Sequence, residues 1–191
     1  MPKTKLDCFY YITQFSHHYQ IKYKLLELIS NSQSVPCVDE GCETNIARTD
    51  WCYSDNFQRK WVEYLNEFLL KELLEIYRDC GYDGFTLHEI WFQQYYKNSS
   101  HGWHTHSSNF TSVYYVDLPE GSPKTQIVHP FDQKTIIEAE VKEGDILLFP
   151  SFVLHKAPIN QVDKNKTIVS FNTNVTYSND IYGQGLENAL F

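Results

Sequence analysis

"FTLHEIWFQQYY", residues 85–96, is where the texture of the chain changes. From here on, short runs rich in β-branched and aromatic residues follow one another: "TSVYYVDL" (111–118), "TQIVHP" (125–130), "TIIEAEV" (135–141), "DILLFP" (145–150) and "TIVSFNTNV" (167–175). Such residues fit a pleated, half-buried surface. "LPEGSP", "KEGD" and "VDKNK" punctuate some of the runs as turns. Many short strands with turns between them read as a small antiparallel sandwich or barrel.

Upstream of residue 84 the pattern is mainly helical. "YKLLELI" (23–29) is a short apolar-periodic piece, and "NSQSVPCVDEGCE" (31–43), with its Pro, Gly and Ser, reads as a loop. The strongest helix is expected over 57–80, where Val62, Leu65, Leu69, Leu73 and Ile76 recur at three- and four-residue steps and line one face. Asp55 with Gln58 reads as a capping box, and Gly81 as the stop. The expected organisation is an N-terminal helical extension (1–83) packing on a β domain (84–191), the two forming one compact unit. No internal repeat or low-complexity tract interrupts it.

Composition bounds the function. The chain has 191 residues, 42% of them apolar and 16% aromatic, with 14 Tyr and 12 Phe, enough to bury a core. A formal charge of -8 argues against general nucleic-acid binding, which needs a basic face. No apolar run approaches the ~20 residues that span a bilayer. No signal peptide is read, so a cytoplasmic location is expected. The five cysteines (Cys8, Cys37, Cys42, Cys52 and Cys80) have irregular spacing that fits neither a disulfide framework nor a zinc motif, and free thiols are expected.

The candidate chemistry lies in "HGWHTHSSNF" (101–110). On a strand, residues two apart face one side, so His104 and His106 can share one metal ion. His155, after the turn and strand "EGDILLFPSFVLH", is the candidate third ligand. His101 lacks the spacing parity and reads as pocket edge. His129 reads as a strand histidine with a local hydrogen bond, and His17, His18 and His88 stand apart. Period two along 166–173 puts Lys166, Ile168, Ser170 and Asn172 on one face and Thr167, Val169, Phe171 and Thr173 on the other.

"HTHSSNFTSVYYVDLPEG", "EGDILLFPSFVLHKAPIN" and "NKTIVSFNTN" together resemble the iron(II)/2-oxoglutarate-dependent oxygenases. More narrowly, they look like the small 2OG-Fe(II) oxygenases of marine bacteria and their phages. The resemblance spans residues 90–176. It implies a double-stranded β-helix, or jelly roll, here covered by helices. It also implies Fe(II) as cofactor and 2-oxoglutarate as co-substrate, with hydroxylation of a small-molecule or peptide substrate and release of succinate and CO2. The family holds iron with His-x-Asp/Glu and a distant His. His104 and His155 match the histidines, and His106 stands where the carboxylate belongs. The family's basic residue for the far carboxylate of 2-oxoglutarate corresponds to Lys166, with Lys164 as near neighbour. Ser170 and the Tyr115 hydroxyl would assist it, while Tyr114 would face the other way. The family's hard chemistry belongs to the iron, and no protein general base is expected.

Two other readings remain open at this point. "GDILLFPSFVLHKAPIN" is close to a second cupin motif, with Gly144, Pro150 and His155 in place. The first cupin motif would need a Glu after His-x-His, and "SSNF" has none. That reading gives a three-histidine metal dioxygenase or isomerase that ignores 2-oxoglutarate. The other is a non-enzymatic jelly-roll binding protein, because one fold hosts many functions.

Overall fold

The structure, a computed structural model, describes residues 9–177. Cys8 and the outermost parts of both expected segments lie outside the described residues. Two antiparallel sheets are stacked. The larger combines β1 (Tyr11–Gln14), β2 (Val35–Asp39), β3 (Thr44–Thr49), β4 (Gly84–Tyr95), β6 (Phe110–Asp117), β9 (Asp145–Pro150) and β11 (Lys166–Thr176), in the order β1-β9-β6-β11-β4-β3-β2. The smaller has the order β5-β10-β7-β8, from β5 (His101–His104), β7 (Gln126–Val128), β8 (Ile136–Glu138) and β10 (His155–Ala157).

Strand alternation divides the core in two. Val169, Phe171, Ile90, Phe92, Tyr114 and Ile146 face outward from the large sheet. They bury the apolar stripes of α1 (His18–Ser30) and α2 (Lys60–Asp79), including Ile21, Leu25, Leu65, Leu69 and Leu73. The inward face supplies Ile168, Tyr115, Val113, Tyr95, Leu147 and Phe149, which meet Ile127 and Ala157 of the small sheet. The expected division of β11 and of the Tyr114–Tyr115 pair between two faces is what the structure shows.

The helical reading of the first 83 residues needs correcting. They supply both helices, but also β1, β2 and β3, which occupy the two edges of the large sheet. The expected loop at 31–43 contains β2, paired with β3. Pro36 disguises it, and a proline is tolerated there because β2 is an edge strand. The end of α2 follows the sequence. Gly81 takes a φ of 88°, its N–H reaches Arg78 O, and Tyr82 N–H reaches Tyr77 O, which is a Schellman closure. Its start does not. The helix opens at Lys60 after Arg59, with no side-chain cap, and Asp55 plays no part in it.

Candidate metal centre

The site is built where the two short strands β5 and β10 pair. His104 and His155 sit directly opposite each other in that ladder. Their ring centroids are 4.2 Å apart. His106 is not on the strand. The chain leaves β5 at His104, and the His106 N–H donates to Ser151 O at 2.9 Å, which swings the imidazole back over the pair. The period-two argument therefore picked residues that do come together, but for a geometry the structure does not have. One ring nitrogen from each of the three histidines lies within 4.8 Å of the others.

Gly102 makes this approach possible. A Cβ there would lie 1.6 Å from the carbonyl oxygen of Cys42, because the β2–β3 connection presses on β5. Gly102 O in turn accepts from His104 Nδ1 at 2.8 Å. Gly102→Ala is therefore expected to push β5 off its neighbour and weaken metal binding by at least about 10-fold, the scale of losing an outer-shell partner. Anaerobic metal titration of the folded variant checks this; unchanged affinity would refute it.

Two of the three rings have a fixed proton. His104 Nδ1 faces Gly102 O, and His155 Nδ1 faces Val153 O at 2.9 Å. A carbonyl only accepts, so both protons sit on Nδ1 and both Nε2 lone pairs are free for a metal. Burial keeps the group neutral. Desolvation pushes His155 well below the ordinary imidazole range, lowers His104, and takes His106 down to about 4, with the neighbouring His104 adding to the last effect. Neutral imidazoles are the donor set that suits Fe, Zn, Cu or Ni. The residues present fit a metal ion.

His101, expected at the pocket edge, stacks on His104 with centroids 3.8 Å apart. His129 lies just past β7, where its Nδ1 accepts from the N–H groups of Phe131 and Asp132, so it belongs to a turn. His18 is fully buried on the helix side, bonded to the Tyr114 hydroxyl at 2.8 Å.

Lys166 lies on the inward face of β11 and is 1% exposed, whereas Lys164 is exposed. Its ammonium donates to Pro123 O at 3.0 Å and stands 4.5 Å over the Tyr95 ring. Among the described residues no carboxylate pairs with it. Burial pulls it down to about 8, so it is still mostly charged at neutral pH. A buried, unpaired cation is costly, and an anionic ligand would relieve that cost. Tyr115, fully buried, shares a 2.6 Å hydrogen bond with the Thr125 hydroxyl. Ser170 donates to Gln93 Oε1 at 3.1 Å, so its hydroxyl is already engaged.

Sequence reasoning missed the wall that β4 supplies. Glu89, Trp91, Gln93 and Tyr95 stand opposite Asn172, Ser170, Ile168 and Lys166 in the ladder and share their inward face. The alternation within "HEIWFQQY" was the available signal. Trp91 and Gln93 line a cavity of about 240 Å³ beside His104 and His106, with Trp51, Ile46 and His101.

Residues 89–172 match the sequence model of a family described as "Putative 2OG-Fe(II) oxygenase". No curated protein matches the chain. Among solved structures, an oxidoreductase of the 2OG-Fe(II) oxygenase family from Burkholderia pseudomallei superposes with a TM-score of 0.67 at 10% identity, covering 86% of this chain and 84% of that one. A prolyl-4-hydroxylase from Pseudomonas putida gives 0.60 at 13% identity, over 90% and 94% of the two chains. The epimerase SnoN, solved with Fe3+, alpha ketoglutarate and nogalamycin RO, gives 0.65 at 11% identity, over 86% and 78%. At these identities the likeness shows the fold alone: the jelly roll covered by helices, as the sequence led us to expect.

Proposed function

We propose that this chain, whose residues 89–172 match the model of a 2OG-Fe(II) oxygenase family, hydroxylates its substrate using Fe(II) and 2-oxoglutarate, with release of succinate and CO2. The observation that carries the reading is the trio of converging imidazoles, His155 buried and His104 and His106 half-buried, two of them with Nε2 lone pairs already presented. His104, His155 and His106 would hold the iron. When bound, Fe(II) and 2-oxoglutarate supply the oxidising chemistry, in which O2 is reduced as the co-substrate loses CO2.

The chain's own residues bind, orient and exclude. Lys166 offers its ammonium, which no described carboxylate pairs, to the far carboxylate of 2-oxoglutarate. The Tyr115 hydroxyl would assist it only by turning from its bond to Thr125. Ser170 joins them only if its hydroxyl leaves Gln93. The cavity next to the imidazoles is lined by Trp51, Trp91, Ile46, Thr49, Cys37 and Gln93 together with histidines and Thr105, with no charged group. Burying a charge there would go uncompensated. The substrate group that reaches the metal is therefore neutral, and small enough to stand between two indoles. Both small molecules and peptides can present such a group.

A cytoplasmic location is part of the proposal. Cys37, Cys42, Cys52 and Cys80 are free thiols, and no described helix is long and apolar enough to cross a membrane.

The test needs no substrate. Metal-free protein is mixed with Fe(II) under argon, then with 2-oxoglutarate, and the visible spectrum is recorded. A charge-transfer band that requires both additions supports the reading. Iron binding without any response to 2-oxoglutarate would instead favour the cupin-like dioxygenase. In the same titration Lys166→Met is expected to weaken 2-oxoglutarate by about 10- to 100-fold, the worth of a charge-assisted hydrogen bond. Fe(II) affinity should hold. An unchanged 2-oxoglutarate affinity would remove Lys166 from the site.

A further inference from the structure

The three imidazoles are not equivalent. His104 and His155 each donate from Nδ1 to a carbonyl. His106 has a different neighbour: its Nδ1 lies 3.4 Å from Asn172 Nδ2. Which way that amide points decides what His106 can do.

Its direction is fixed from both ends. Asn172 is 2% exposed, on the inward face of β11. Its Oδ1 accepts from the Thr111 hydroxyl at 3.0 Å, and its Nδ2 donates to Glu89 Oε2 at 2.7 Å. A flipped amide would set two acceptor oxygens against each other at that distance, so the carboxylate forbids it. Glu89 is itself held, accepting from the Ser54 hydroxyl at 3.3 Å. The second hydrogen of Asn172 Nδ2 is then the one that faces His106.

We propose that Glu89 and Asn172 are positioning residues that mask His106: the amide donates to Nδ1, which leaves the imidazole proton on Nε2. The 3.4 Å contact is a weak bond, but its polarity is what matters. A proton on Nδ1 would set N–H against N–H. Nε2 is the one nitrogen left to ligate, and it carries the proton. For His106 to join a metal, that proton must leave Nε2 and one must arrive on Nδ1, with no net release, and the Asn172 amide must give way. The metal is then taken first by His104 and His155, and His106 closes last and most weakly. The Glu89 carboxylate thus stands one amide away from His106. This rests on the reading of the three histidines as the metal site.

The test has two arms. In metal-free protein labelled with 15N-histidine, long-range 1H–15N correlations read each ring's tautomer at neutral pH. The expected result is Nδ1–H for His104 and His155, and Nε2–H for His106. Finding Nδ1–H at His106 overturns the proposal. The second arm swaps the pair: the double variant Glu89→Gln with Asn172→Asp keeps net charge and the side-chain bond, but turns an acceptor toward His106. Its ring should change to Nδ1–H, and Fe(II), titrated anaerobically by calorimetry, should bind at least about 10-fold more tightly, the scale of an outer-shell partner. Unchanged affinity in a folded double variant also overturns the proposal. If the double variant does not fold, the wild-type spectrum decides alone. If no form binds Fe(II), the proposed function falls, while the tautomer of His106 is still read on the metal-free protein.

Discussion

His155→Ala is expected to abolish Fe(II) binding at micromolar metal, and with it all consumption of 2-oxoglutarate. The residue opens β10, faces His104 across the ladder and is 4% exposed. Removing an outer-shell partner of a metal ligand costs about 10- to 100-fold in affinity, and removing a ligand exceeds that. The substitution also leaves Val153 O without its donor and opens space beside Phe149. Together these are worth about 1–3 kcal/mol of stability, which a folded domain can absorb. Circular dichroism therefore has to accompany the titration. A folded variant that still binds Fe(II) with near wild-type affinity would refute the assignment. His106→Ala is the informative contrast, because a masked ligand contributes less, and its loss should cost clearly less than that of His155.

The parts of this architecture that could be read from sequence are those whose signal is local. The long inner strands β4, β6, β9 and β11 announce themselves by composition, and period two along β11 groups Lys166 with Ser170 and Asn172. Parity does not choose between Lys166 and Lys164, which are two apart; Lys164 is exposed because it precedes the strand. Short strands carry no such signal. β5 and β10 have four and three residues, and they are strands because each pairs with the other where His104 meets His155. The edge hairpin β2–β3 hides behind Pro36 and Gly41, residues that more often mark a loop. The expected Asp55 cap failed because a real opening turn is decided by how α2 docks on the sheet, not by residue type at one position. The three candidate ligands were legible as histidines in a β context. What orients them was not. Asn172 and Glu89 are 83 residues apart in the chain, and nothing in either segment alone says that they touch.

The same buried imidazoles should make the metal-free protein acid-sensitive. Burial pushes His101 down to about 3 and His106 to about 4, and it lowers His104 and His155 as well. In the unfolded chain all four titrate near 6.5. Above that pH both states are neutral there, and these groups contribute nothing to the pH dependence. Below it the unfolded chain takes up protons that the folded chain refuses, so stability falls as pH drops from about 6.5 toward about 4. A lowering of the size shown by His106 corresponds to about 3 kcal/mol at 1.36 kcal/mol per pKa unit. The neighbouring histidines lower one another further, so the four sites act in the same direction. Against a typical stability of about 5–15 kcal/mol, the loss from one such site is already a large share. Lys166 leaves this window alone, since its lowered value of about 8 moves stability only at alkaline pH. Urea midpoints between pH 7.5 and 4 should therefore fall steeply below about 6.5. His101→Phe, which keeps a ring stacked on His104 but removes one refused proton, should flatten the fall. Bound metal should shift the curve to lower pH, because it competes with protons for the neutral nitrogens. A midpoint that stays level from pH 7 to pH 5 in the metal-free protein would mean that the folded imidazoles are hydrated and take up protons as readily as the unfolded ones. The preformed neutral donor set on which the metal centre depends would then not exist.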